Sequence, residues 1–378
     1  MAKESNGSIL TKWLESAPSI IFVFYAIFFA FTTYFTMYAF RKPFAASAYS
    51  GHEFGGVTLK AALVISQILG YALSKYIGIK VCSEVHRKNR LFTLVWLIVL
   101  AEASLILFAI LPVNMKIFAI FFNGLPLGMV WGLVVLYLEG RRTSELLLAG
   151  LSCSFIVASG VVKDVGRTLM MNFQISEWWM PAATGFCFFP FFLIAAWLLD
   201  QIPATSPEDI AERVERKPMN STERRTFVLH FFPGLILLVT TYFFLTAYRD
   251  YRDNFGIEIF TSLGYAGDLS IFTRTETLVA FGVMGCLMLL NLIRNNLFGL
   301  IGVFSLMTIG LLVMGASTVL FQADRLPGFW WMMLVGLGSY LAYVPFGSVL
   351  FDRLIAHTSV IGTAVFAIYL ADAIGYTG

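Results

Sequence analysis

Arg41, Lys75, Glu102, Lys163, Asp164, Arg249 and Asp372 are ionisable residues set in or against long apolar stretches of the chain. An ionisable group in hydrocarbon costs about 2.5–3.5 kcal/mol on insertion scales, so such residues face an interior and carry chemistry by default. Tyr34, Tyr38 and Arg41 are spaced i, i+4, i+7, which sets them on one helix face, and Tyr242, Thr246 and Arg249 repeat that spacing. Tyr71 and Lys75 form a further i, i+4 pair. Two guanidiniums and an ammonium suit a phosphate: the planar arginine fork donates two parallel hydrogen bonds, and lysine adds a point charge. The candidate binding set is therefore Arg41, Arg249, Lys75, Tyr34, Tyr38 and Tyr71. A second reading stands beside it. The rise from Ile20 to Arg41 is about 32 Å, which lets Arg41, Lys42 and Arg249 snorkel to head groups, with Asp250 and Asp253 neutralising Arg249 and Arg252.

Lys163, Asp164 and Arg167 lie together in one apolar stretch, Glu102 in another and Asp372 in a third. Asp164 and Arg167 are i, i+3 neighbours able to pair. These residues read either as an interior salt-bridge cluster or as gating and proton-coupling groups. Gly124, Gly128 and Gly132 form a small-residue ladder that predicts close helix packing. Other chemistries find no motif. Cys82, Cys153, Cys187 and Cys286 form no CxxC pair, His52-Glu53 lacks the second histidine of a zinc-protease motif, and no GxxxxGK phosphate loop occurs. No cofactor, no metal, no nucleic-acid partner and no enzymatic activity is expected.

The elements that must position these residues are membrane helices. The chain is 58% hydrophobic and 13% charged, against about 25% charged in soluble domains. Its apolar blocks predict an all-α, polytopic membrane protein with eleven spans, near 18–42, 57–79, 91–112, 115–139, 146–171, 179–200, 227–249, 276–293, 297–320, 329–351 and 359–378. Lys3 and Lys12 precede the first span. Lys80, Arg87, Lys88 and Arg90 follow the second, Arg141 and Arg142 the fourth, and Arg213 to Arg225 the sixth. The positive-inside rule then puts the N-terminus in the cytoplasm, and in a bacterium the host bilayer is the inner membrane. The opposite loops carry little beyond Lys116 and Arg325.

Residues 1–199 form a six-helix bundle in this reading, 200–226 a cytoplasmic linker, and 227–378 a second bundle. An internal repeat supports two halves: Thr32-Thr33-Tyr34-Phe35 recurs as Thr240-Thr241-Tyr242-Phe243 at an offset of 208, which also carries Arg41 onto Arg249 and Asp164 onto Asp372. Halves related by an axis along the membrane normal are one plan of secondary transporters, with substrate held between them. The repeat predicts twelve spans, so the second bundle is expected to lack its last helix here. A monomer is the expected state.

Tyr34-x3-Tyr38-x2-Arg41-Lys42-x-Phe44 resembles the first helix of the organophosphate:phosphate antiporters, a branch of the major facilitator superfamily, and Tyr71-x2-Ser74-Lys75-Tyr76 is similar to that branch's second helix. The resemblance implies a major-facilitator-like two-bundle fold and a phosphate site lined by Arg41, Arg249 and Lys75, with Tyr38 and Tyr71 nearby. It also implies a small anionic substrate, an organic phosphate or phosphate, with phosphate or protons as the coupling species. The branch's helix-five histidine has no counterpart near Ser154 or Phe155. The rival reading is a transporter-like sensor of a phosphorylated ligand that signals through the linker without flux.

Overall fold

The computed structural model describes residues 8–139, 141, 143–205, 221–293, 295–351, 353, 354, 371, 374 and 375. The chain divides into two compact units, Met1–Val214 and Glu215–Gly378. Ten helices among the described residues are long and apolar enough to cross a membrane, six in the first unit and four in the second. The eleventh expected span, 359–378, falls almost wholly outside the described residues, as do Asp372, Arg142 and residues 206–220 of the linker.

The first unit opens with α1 (Ile9–Ser16), a short helix not foreseen from the polar N-terminal sequence. Ser8 caps it by accepting from the Thr11 amide, and its hydroxyl donates to Gln201 Oε1 at 2.5 Å. Leu14 is buried while Ile9 and Trp13 are exposed. The spans are α2 (Ser19–Met37), α3 (Leu59–Glu84), α4 (Arg90–Ile110), α5 (Lys116–Leu138), α6 (Ser144–Phe173) and α7 (Met180–Asp200). Two boundaries differ from expectation for local reasons. α2 gives way at Met37 to a 3-10 turn over Tyr38–Phe40 and, after Pro43, to a second over Pro43–Ala46. α3 starts at Leu59 because Val57–Thr58 is a strand, β2, paired antiparallel with β1 (Glu53–Phe54) across Gly55-Gly56. Both glycines have positive φ, +59° and +82°, the geometry a two-residue hairpin turn demands.

The glycine ladder of α5 lies against α3. A Cβ on Gly124 would stand 2.5 Å from the Gln67 carbonyl oxygen, and one on Gly128 would stand 2.6 Å from the Ser74 Cβ. Van der Waals packing between backbones replaces side-chain packing there, as lipid offers no hydrophobic drive between helices. Large apolar residues point the other way: Phe24, Phe28, Trp96, Phe118, Phe191 and Ile194 are all exposed. In water such a surface invites aggregation; in a bilayer it is the solvated one.

At the end of this unit reached by the hairpin, Tyr49 stacks on Trp178 at 5.1 Å and His52 meets the same indole edge-on. Lys116 sits beneath, its Nζ 4.4 Å from the Trp178 ring centre and donating to the Phe108 and Ala109 carbonyls. Lys116 is 3% exposed, which explains why a basic residue is tolerated in a connection otherwise nearly free of them. Burial, then the nearby carboxylate of Glu177, push the Tyr49 phenol well above its usual range.

The second unit contains α8 (Ser221–His230), α9 (Phe232–Asn254), α10 (Gly256–Ser262), α11 (Ile271–Asn291), α12 (Asn296–Gln322) and α13 (Gly328–Ser348). Asn295 caps α12 by accepting from the amides of Leu297 and Phe298. α12 and α13 approach backbone to backbone at Gly310 and Gly338, where a Cβ on either would meet the other's carbonyl oxygen at 2.6 or 2.4 Å. The repeated Thr-Thr-Tyr-Phe motif has matching local structure. Thr33 bonds back to the Phe29 carbonyl at 2.7 Å and Thr241 to the Leu237 carbonyl at 2.8 Å.

Candidate functional site

In the first unit the break in α2 sets the position of Arg41. Ending a helix inside a membrane leaves carbonyls that must find donors. Asn123 of α5 donates to the Phe40 carbonyl at 2.9 Å, Gln67 of α3 donates to the Arg41 carbonyl at 2.9 Å, and the two amides join at 2.8 Å. Both amides are buried. Neither was named among the candidate residues, although each is an uncharged polar side chain inside an apolar run. Because the turn tightens to 3-10 geometry, where i and i+3 eclipse, Tyr38 and Arg41 keep a common side although the α-helix has ended.

The Arg41 guanidinium carbon lies 4.1 Å from the Tyr71 ring centre and 5.7 Å from that of Tyr38. Lys75 Nζ lies 5.2 Å from the same Tyr71 ring. Tyr34 meets Tyr38 edge-on at 5.6 Å and Trp131 at 4.9 Å. Arg41, Lys75, Tyr34, Tyr38 and Tyr71 are thus assembled in one unit, two cations on a shared aromatic platform. Arg41 and Lys42 are 6% and 3% exposed, so the snorkelling reading fails for both. Ring faces attract cations without consuming the guanidinium's in-plane N–H donors, which suits an anion-binding surface.

In the second unit the two candidate arginines separate by environment. Arg252 is buried, paired with Glu276 at 2.8 Å, and donates to the Met332 carbonyl at 3.0 Å. A Cβ on Gly336 would come within 2.4 Å of its Nη2, so the glycine makes room for the guanidinium. Glu276, within the expected span 276–293, was not named as its partner. Arg249 instead donates from Nη2 and Nε to Asp250 Oδ1 at 2.9 and 3.2 Å, and its guanidinium carbon lies 4.3 Å from the Tyr343 ring centre. Tyr343 stacks on Tyr242 at 5.0 Å and the two hydroxyls meet at 3.0 Å. Arg249 therefore shares with Arg41 a place on a tyrosine face, while Arg252 holds α9 to α11 and α13.

The remaining charged candidates do not form one cluster. Asp164 and Arg167 approach at 3.8 Å on α6, both buried, and Lys163 beside them is 2% exposed. Glu102 of α4 stands apart. It is 6% exposed, and neither carboxyl oxygen has a hydrogen-bond partner among the described residues. It packs against Gly185 of α7 so closely that a Cβ there would fall 2.0 Å from Oε2. Asp372 lies outside the described residues. All four cysteines are free, and no group of metal-ligating residues occurs among the described residues.

No curated protein matches the chain in sequence. Several solved structures share its architecture. The D-xylose-proton symporter superposes with a TM-score of 0.63 at 12% identity, covering 95% of this chain and 87% of that one. A variant of the peptide transporter POT gives 0.62 at 14% identity, covering 98% and 91%. The nucleoside transporter NupG gives 0.58 at 12%, covering 94% and 88%. At these identities the likeness is one of fold, and the fold is the all-α, multi-pass architecture of the major-facilitator transporters. By sequence the chain belongs to the family of unknown function DUF5690, whose model matches residues 43–378.

Proposed function

We propose that this protein is a secondary transporter that moves a small anion, an organic phosphate or phosphate, by alternating access. The observation that carries the reading is the pairing of Arg41 and Lys75 over the Tyr71 ring, a concentration of positive charge inside the first unit. Arg249 on the Tyr242–Tyr343 stack supplies a corresponding cation in the second unit. Repulsion between Arg41 and Lys75 stands while the site is empty and a bound dianion relieves it, so the loaded carrier reorients most readily. That is exchange. The neighbouring folds belong to carriers described as handling a sugar with protons, peptides and nucleosides, which supports transport as the class and leaves the anion to the charges described above.

Proton coupling is the second reading, and Glu102 favours it: a buried carboxyl group without a hydrogen bond among the described residues is the kind of group a proton cycle employs. Counterflow in proteoliposomes separates the two. Vesicles preloaded with inorganic phosphate are offered labelled phosphate, with and without a proton gradient. Uptake that requires internal phosphate supports exchange, and uptake that follows the gradient supports coupling. Intact folding with no flux of phosphate or phosphate esters overturns the anion-carrier reading and favours a sensor.

A further inference from the structure

A second cationic feature lies in the first unit, at the other end of its helices from the hairpin. A cavity of about 290 Å³ opens between the start of α4, the end of α5 and the chain leaving α7, lined by Arg87, Arg90, Arg141, Glu139, Tyr137 and residues 202–205. Its volume is near the lower bound of ligand pockets, the size of a head group rather than a whole metabolite. Three arginines face one lining carboxylate. Asp200, the other acid nearby, accepts from the Tyr137 hydroxyl at 2.7 Å.

The arginines are held by main-chain carbonyls. Arg90 donates to Leu136 at 2.8 Å, and Arg87 and Arg141 donate to the carbonyls of Ile202 and Pro203. Carbonyls orient a guanidinium but leave its charge in place. Among the described residues neither Arg87 nor Arg90 forms an ion pair, and Arg90 Nε is buried without a hydrogen bond. The Arg90 guanidinium also lies against the Tyr137 ring, 5.4 Å from its centre. The Arg87 and Arg90 forks, fixed in this way and with donors unused among the described residues, match the tetrahedral oxygens of a phosphoryl group.

We infer that this arginine-lined cavity is a binding site for a phosphate-bearing group, separate from the proposed transport site. Arg87, Arg90 and Arg141 belong to the basic connections that the positive-inside rule assigns to the cytoplasm, where both anionic lipid head groups and soluble phosphates are present. The bound group would tie the first residues of the linker, 202–205, to the ends of α4 and α5, because the same arginines already hold their carbonyls.

The test uses the full chain in phosphatidylcholine nanodiscs, as wild type, as Arg87→Gln/Arg90→Gln and as Arg41→Lys. Calorimetric titration with inorganic phosphate reads soluble binding. Native mass spectrometry after doping the discs with phosphatidylglycerol reads retained lipid. Saturable phosphate binding that survives Arg41→Lys assigns a soluble ligand; retained phosphatidylglycerol without it assigns a head group. Whichever signal reports the cavity should fall at least about tenfold in the double variant and persist in Arg41→Lys, which removes only the transport site's share of phosphate binding. Arg90→Lys, which keeps the charge and a donor for Leu136, serves if the double variant does not fold and should weaken binding through loss of the fork. Absence of both signals in the wild type, or a signal indifferent to Arg87 and Arg90 but lost in Arg41→Lys, overturns the site. Loss of flux alone would bear on the transport reading and leave this one standing.

Discussion

Arg249 and Arg252 stand one turn apart on α9, and the structure gives them opposite expected phenotypes. Arg252→Met removes a guanidinium that is 5% exposed and leaves Glu276, also buried, facing a vacancy 2.8 Å from its former partner. Breaking a buried pair from one side costs about 3–5 kcal/mol. An overlapping range, about 2.5–4 kcal/mol, follows from one charge-assisted bond of about 1.5–3 kcal/mol plus the lost bond to the Met332 carbonyl at about 1 kcal/mol. Arg252→Met/Glu276→Leu removes both charges and should lie within about 1 kcal/mol of wild type, because neither desolvated charge is then left alone. Arg249→Gln loses both bonds to the adjacent Asp250 oxygen and should cost about 1.5 kcal/mol. The assay is reversible unfolding of purified protein in mixed detergent micelles titrated with a denaturing surfactant, with phosphate binding measured on each folded variant in the Arg87→Gln/Arg90→Gln background. A cycle coupling of at least about 3 kcal/mol between Arg252 and Glu276 is expected, with near-normal phosphate affinity in the double variant and lost affinity in Arg249→Gln. A coupling below about 1 kcal/mol, or a double variant that fails to bind, would refute the division of roles.

Arg41→Lys keeps the charge but loses the fork, so in the Arg87→Gln/Arg90→Gln background, where only the transport site is left to bind, phosphate affinity should fall at least about tenfold by calorimetry; near-normal affinity in both Arg41→Lys and Arg249→Lys would sink the proposed transport site. Gly185→Ala drives a methyl group to 2.0 Å from Glu102 Oε2 and 3.2 Å from the Phe40 ring, and should lower the unfolding midpoint, whereas Glu102→Gln, nearly the same shape, should hold it. If Glu102 carries the proton, Glu102→Gln abolishes gradient-driven uptake while sparing counterflow. Tyr49→Phe should leave thermal stability unchanged or raise it, since the buried hydroxyl has no hydrogen-bond partner among the described residues and its removal relieves desolvation.

What the sequence could show depended on whether a feature is local. Span count, basic connections and the Thr-Thr-Tyr-Phe repeat are one-dimensional, and the six helices of the first unit follow from them to within a few residues. The α2 break is different. Nothing within residues 34–42 announces it, because Pro43 comes only after the turn, and the break is held by Gln67 and Asn123, which reach Phe40 and Arg41 from two other helices. The same distinction applies to charge. Asp250 beside Arg249 is readable from adjacency, and Asp164 with Arg167 from helical spacing. Arg252 with Glu276 joins positions 24 residues apart, which only the packing of α9 on α11 brings together. Tyrosine faces follow both patterns. Tyr71 below Lys75 is an i, i+4 contact foreseeable from sequence, whereas Arg41 over Tyr71 and Arg249 over Tyr343 required helices to meet. Arg249 joins its sequence neighbour Asp250 and lies on the Tyr343 face, whereas Arg252 is buried against Glu276 of α11 and the Met332 carbonyl of α13. That difference between neighbouring turns of α9, rather than the arginine count, is what marks Arg249 as the residue to test.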